Sequence, residues 1–322
     1  MNFKNQTVAV LMGLVASQTA WGQAGYPERP IRMIAPSSAG GPTDVIARAV
    51  SAPLSDILGK QIVIDNRAGA AGLIGTDMVA KATPDGYTLL FGFSGPMSIV
   101  PHIVKSVPYD PVKDFAHVSL VASAPYVLLA NPALPVTNAK ELIALAKSQP
   151  GKLNFASGGN GTGIHMAGEL LNHVAGIRIV HVPYKGAGPG MGAVIAGEVN
   201  VMFNGLSSAL PHIKSNRLRA LAVGGDKRTL LLPELPTVAE SGLKFSVDGW
   251  YNLSAPNGTP RPIIAKLYKE LLRALANPEA KARLTALAVD PIGATGDQFV
   301  IMLKGELAKW EQVVKAAGIK AQ

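Results

Sequence analysis

Residues 31–44 read IRMIAPSSAGGPTD. The first six, apolar except for Arg32, make a run of strand length that ends at Pro36. A loop of serine, alanine and glycine follows. Pro42 then opens a stretch to residue 58 in which Val45, Ile46, Ala49, Val50, Pro53 and Leu54 recur at helical spacing. A first helical turn tolerates proline because its N–H would have no partner there. Gly59 supplies the left-handed stop. The unit is strand, glycine-rich turn, helix, and the fold class depends on whether it repeats.

It repeats along the chain. Residues 62–66 (IVIDN) read as a strand, 72–81 as a helix and 87–93 (YTLLFGF) as a strand. A long extended stretch, 118–131, is broken by Pro125. A second series follows, with helices over 139–148, 163–175 and 188–196 and strands over 153–157, 177–184, 199–204 and 218–223. The chain is extended again over 247–256. Three helices, 261–276, 278–287 and 297–317, close it. The last carries Phe299, Met302, Leu303, Leu307, Trp310 and Val313 on one stripe, which is the pattern of packing. Alternation of this kind predicts an α/β fold with a mostly parallel sheet covered by helices. The terminal helices have no sheet of their own in this reading and are expected to return to the first half. The crossings near 120–126 and 240–248 would then form a hinge.

In open α/β sheets, ligands collect at the carboxyl ends of the strands. Helix starts there present unpaired N–H groups and a partial positive charge, so a glycine-rich turn can hold a carboxylate without lysine. Three loops fit: 36–44 (PSSAGGPTD), 66–75 (NRAGAAGLIG) and 157–165 (SGGNGTGIH). Asp44 falls where it caps its own helix start. The second loop is only loosely like a dinucleotide turn and lacks a ribose-binding acid. The third does not match a nucleotide P-loop but suits an anion nest. The segments around Val182-Pro183-Tyr184-Lys185 and Phe203-Asn204-Gly205 end strands on the same rim.

Other chemistries find little support. The chain has no cysteine, which excludes disulfides, thiolate metal sites and cysteine nucleophiles. Gly92-Phe93-Ser94-Gly95-Pro96 resembles a nucleophile elbow until Pro96 stands where the final glycine belongs. No H-E-x-x-H pair occurs, and His165 and His173 lie too far apart on their helix for a simple metal pair. No cofactor or metal is expected. The formal charge of +9 comes from scattered basic residues without interleaved aromatics. That pattern points to a general field attracting anions, not to nucleic acid. Lys4, the apolar run 8–16 and the small residues before position 25 have the layout of a secretory signal over 1–24, with cleavage after Ala24. The run is too short to span a bilayer. A periplasmic monomer is expected.

Seven segments make the reading specific: AGGPTD (39–44), NRAGAAGLIG (66–75), ATPDGYTLL (82–90), SGGNGTGIHMAGE (157–169), VPYKGAGP (182–189), GEVNVMF (197–203) and SAPNGTP (254–260). Their order resembles that of the Bug receptor family, the periplasmic binding proteins of tripartite tricarboxylate transporters. The resemblance spans the chain from Tyr26 onward. It implies a type II periplasmic-binding fold, with lobe 1 from 25–123 plus 243–322, lobe 2 from 124–242 and a cleft between them. It further implies no catalysis, a small carboxylate as ligand and transient contact with membrane transporter subunits. Carried over by motif, the ligand contacts are Ser37, Ser38, Ala39, Ser157, Gly159, Asn160, Gly161, Thr162, Tyr184 and Asn204. Ser94, Lys185 and Asp248 complete the candidates. Ser37-Ser38 replaces the family's aromatic-containing segment, so hydroxyls stand where a stacking wall is usual. A protein that presents ligand to a membrane sensor kinase would share this cleft, and a secreted hydrolase using Ser94 or His165 is the remote alternative.

Overall fold

The computed structural model describes residues 25–316, so the signal segment lies outside the described residues. The elements run β1 (Ile31–Ala35), α1 (Pro42–Leu58), β2 (Ile62–Asn66), α2 (Leu73–Ala80), β3 (Thr88–Phe93), α3 (Val100–Ile103), β4 (Phe115–Ala130), α4 (Ala139–Ser148) and β5 (Asn154–Ser157). They continue with α5 (Gly163–Ala175), β6 (Val180–Pro183), α6 (Ala187–Ala196), β7 (Val201–Gly205), α7 (Leu206–Lys214), β8 (Arg219–Val223) and β9 (Asp248–Pro256). The chain ends with α8 (Arg261–Ala276), α9 (Pro278–Ala286), β10 (Asp290–Thr295) and α10 (Gly296–Ala316).

The strands join in the order β2-β1-β3-β9-β4-β7-β5-β6, with β8 and β10 also on β4. β1 pairs in parallel with β2 and β3, and β5 in parallel with β6 and β7. The sixteen-residue β4 holds the two groups together. Its first part, through Pro125, pairs with β9 and β10; from Tyr126 onward it pairs with β7 and β8. Pro125 therefore does not break the strand. It stands opposite Asp248 at the point where β4 changes partners.

Each group of strands has its own core. Met33, Leu89 and Phe91 pack against Ile46, Val50 and Leu54 of α1 and Leu267 and Leu271 of α8. Leu128, Phe155, Met202 and Phe203 pack against Leu142 of α4 and Leu171 of α5. Fully burying such side chains contributes about 1.5–3 kcal/mol each. α10 serves both sides. Phe299 and Leu303 join Ile34, Leu90 and Met97, whereas Trp310 and Val314 belong to the cluster that contains Ile99, Ile103 and the second group of strands.

The sheet is mixed and not mostly parallel as expected, because every pairing of β4 and β9 is antiparallel. Three further features differ from the sequence expectations. β10 gives the terminal helices a strand between them, paired with β4. A π-turn over Gly95–Ile99 and the short α3 follow β3. α7 continues from β7 despite Pro211 in its body.

Candidate functional site

Four helix starts converge on one cleft. Its lining includes Pro42 and Thr43 from α1, Ala71 and Gly72 before α2, Thr162, Gly163 and Ile164 from α5, and Gly186 and Ala187 from α6. Ser37, Phe93, Tyr126 and Tyr251 are also in the wall. No charged side chain is among the lining residues. The N-caps of α1, α2 and α6 are Gly41, Gly72 and Gly186, and none makes a side-chain cap. Uncapped helix starts aim N–H dipoles at whatever fills the space between them. The chemistry offered is anion binding by neutral donors.

The first loop is braced from outside the cleft. Asp44 accepts the Gly40 N–H (2.9 Å) and pairs with Arg48 (2.9 Å), and Asn66 donates to the Ser37 carbonyl (3.3 Å). Ser37 lines the cleft, and its buried hydroxyl has no protein partner. Ser38 reaches across to the other half: its Oγ lies 3.4 Å from the Gly188 N–H. Pro42 sits against the Cα of Gly205, where a Cβ would come within 2.6 Å of the ring. The two halves are therefore closed on each other.

The third loop is held internally. Ser157 Oγ accepts the Gly159 N–H (3.0 Å) and lies 2.6 Å from His181 Nε2. Thr162 caps α5 by accepting the His165 N–H (3.2 Å), and its hydroxyl donates to the Gly159 carbonyl (2.9 Å). Truncating such a cap costs about 1 kcal/mol. Thr162→Ala is expected to lower stability by that amount in urea titrations and to weaken anion binding, with Thr162→Ser close to wild type in both.

Of the residues singled out from sequence, Ser37 and Thr162 line the cleft. Ser38 and Ala39 stand where the halves meet, the Ala39 carbonyl facing Gly188. Gly159 and Gly161 shape the loop behind Thr162 and have positive φ (115° and 83°). Asn160 is at its exposed tip. Ser157 and Asn204 are fully buried with their polar atoms engaged locally, Asn204 Oδ1 accepting the Gly205 N–H (2.9 Å). Tyr184 is half-buried behind the rim, and Lys185 is exposed. Ser94 Oγ and the Tyr126 hydroxyl both point at Gly163. Asp248 lies elsewhere, in a crevice with Asp226 and Asp290. Desolvation there, reinforced by those two carboxylates, pushes its carboxyl up to about 6.

Sequence reasoning missed the aromatic floor. Tyr126 on β4 and Tyr251 on β9 are distant in sequence, and both line the cleft where the two strands pass between the halves. Burial pushes the Tyr126 phenol up to about 12, Ser94 opposing and Asp248 and Glu306 adding to it. It therefore remains an O–H donor at physiological pH. A single tyrosine inside the expected hinge stretch was the available signal.

One group has metal-ligating residue types: donor atoms of His165, Glu169 and His181 lie within 4.8 Å of one another. The two imidazoles are stacked, with centroids 4.0 Å apart and planes 26° from parallel. In-plane lone pairs of stacked rings run side by side and do not converge on one ion. His165 Nδ1 also accepts the Gly161 N–H (3.1 Å), which leaves the ring proton on Nε2, facing Glu169 at 3.7 Å. This geometry does not fit a metal centre.

Residues 46–319 match the family described as tripartite tricarboxylate transporter family receptor. The solved periplasmic binding protein BugD shares 36% identity at a TM-score of 0.89, covering 92% of this chain and 100% of that one. An R. palustris protein solved with adipate gives 33% identity and a TM-score of 0.90 over 92% and 100% of the two chains. MatC from Rhodopseudomonas palustris, solved with malate, gives 33% and 0.85 over 90% and 100%. The α/β architecture is thus the type II periplasmic-binding fold, and no helix among the described residues is long and apolar enough to cross a membrane. The chain belongs to the tripartite tricarboxylate transporter receptors, the Bug family of periplasmic solute-binding proteins, which are binding proteins and not enzymes.

Proposed function

We propose that this protein captures a small dicarboxylate in the cleft and hands it to the membrane subunits of a tripartite transporter. One observation carries the reading: uncapped helix starts from both halves face a single cavity that no charged side chain lines. Adipate and malate in two relatives support a ligand with two carboxylates.

Residues 25–123 with 243–322 act as one lobe and 124–242 as the other. They swing about β4 near Pro125 and the return crossing before β9. One carboxylate sits among Ser37, Thr43 and the starts of α1 and α2. The other sits at Gly163 and Ala187, within reach of the Tyr126 hydroxyl. Ser38 and Ala39 seal the lobes. Ser157, Gly159, Asn160, Gly161 and Asn204 shape the loops, Ser94 stands beside Tyr126 at Gly163, and Tyr184 and Lys185 form the rim. The protein is exported by a signal segment cleaved after Ala24 and works in the periplasm as a monomer. Micromolar affinity requires about 8 kcal/mol. Four to six hydrogen bonds to charged groups, at roughly 1.5–3 kcal/mol each, supply that after ordering costs.

Calorimetry with malate, adipate and longer and shorter dicarboxylates tests the proposal. One member should bind saturably at one molecule per chain, without turnover and at micromolar strength or better. Absence of binding across the series, or consumption of a ligand, contradicts it.

A further inference from the structure

The stacked imidazoles behind the third loop have no role in the reading so far, yet both touch that loop. Phe155, His181 and His165 form a continuous stack. Phe155 and His181 are neighbours on β5 and β6, 4.8 Å between centroids, and His165 on α5 lies over His181 at 4.0 Å. Gly168 lets α5 come down onto the sheet, since a Cβ there would meet the Phe155 ring. From this stack two ring nitrogens reach the loop. His165 Nδ1 holds the Gly161 N–H, and His181 Nε2 holds Ser157 Oγ, which holds the Gly159 N–H. These contacts fix the turn on both sides of Asn160, immediately before the α5 start.

We propose that His165 and His181 are positioning residues for anion binding: a stacked, uncharged pair that holds the 157–162 loop in its ligand-receiving shape. The proposal rests on the reading of the cleft as a carboxylate site. The hydrogen bond to Gly161 requires Nδ1 of His165 to be unprotonated, because a protonated ring would set a donor against a donor. The titratable groups facing the pair are each other and Glu169, whose carboxylate approaches His165. Burial, and then the neighbouring His165, push the His181 pKa down to about 4, against the pull of Glu169. The folded-state value lies below the ordinary one near 6.5, so His181 is neutral at neutral pH and takes up a proton only as pH falls through about 4.

Four variants separate positioning from bulk. His165→Asn places an acceptor where Nδ1 stands, and His181→Gln places one where Nε2 stands; His165→Leu and His181→Leu supply none. With malate and adipate as probes at pH 7.5, each leucine variant should bind about tenfold more weakly, and the asparagine and glutamine variants within about threefold of wild type. In the ligand-free protein, hydrogen exchange over residues 157–162 should be about tenfold faster in the leucine variants than in wild type or the amide variants. Equal affinity in the leucine variants, equal weakness of amide and leucine variants, or unchanged exchange in the loop each overturns the proposal. Stabilisation by equimolar Zn²⁺ that disappears in His165→Asn would also overturn it, in favour of a metal. If neither probe binds wild type, the carboxylate reading fails, and the exchange result still decides the role of the histidines.

Discussion

Gly186→Val is expected to weaken dicarboxylate binding by about a hundredfold, the equivalent of some 3 kcal/mol. Gly186 is the N-cap of α6 with φ 118°, a backbone conformation that β-branched residues avoid. A Cβ there would come within 2.6 Å of Ser38 Cβ, on the opposite side of the closed interface. The added side chain therefore opposes closure more than it opposes the fold of either half. Ligand that bridges the halves is held by the closed state, so its apparent affinity falls with the population of that state. The clash is specific to Ser38. Gly186→Ala should show a smaller loss, and adding Ser38→Gly should restore part of it. Calorimetry gives the affinities. Small-angle scattering should show wild type contracting with ligand and Gly186→Val remaining extended. Wild-type affinity in Gly186→Val would refute the closure argument.

Trp310→Ala should produce the largest loss of stability, about 3–5 kcal/mol, the cost of removing a large buried aromatic. Trp310 is 2% exposed and belongs to the cluster that joins Ile99 and Ile103 to the second group of strands. Its indole N–H donates to Glu306 (3.0 Å), and Trp250 of β9 donates to the same carboxylate oxygen (3.2 Å). Deletion opens a cavity and removes one of the two donors to Glu306 Oε2, leaving Trp250 there and Lys309 on the other oxygen of this mostly buried carboxylate. The melting temperature should fall by about 10 °C in thermal unfolding, given roughly 2–4 °C per kcal/mol for domains of 150–250 residues. Trp310→Phe keeps most of the volume and should lose less than half as much. A fall of under 2 °C in Trp310→Ala would mean that the last turns of α10 are dispensable, contrary to their place in the core.

The strand–turn–helix units were readable because local chemistry agrees with the final structure. Pro42 does open α1, Gly59 closes it with φ 68°, and Thr162 caps α5. The stripe on α10 was readable as packing, and Phe299, Leu303 and Trp310 are indeed buried. β10 was not readable. DPIGAT has proline, glycine and no alternation, and its strand character comes from the edge of β4 that it pairs with. For the cleft, the serine- and glycine-rich loops were visible, but the partners of each polar atom were not. Ser157 and Asn204 looked like ligand donors, and their side chains are engaged with their own surroundings. Tyr126 and Tyr251 escaped notice because only the pairing of β4 with β9 brings both to the same cleft. Asp248 lies on the expected crossing, but in the crevice shared with Asp226 and Asp290.

A crystal structure with the tightest-binding dicarboxylate tests the carboxylate site most directly. The ligand should span the two halves, with carboxylate oxygens within hydrogen-bond distance of main-chain N–H groups at the starts of α1, α5 and α6 and no lysine or arginine in contact. A ligand seated outside this cleft, or gripped mainly by basic side chains, would contradict it.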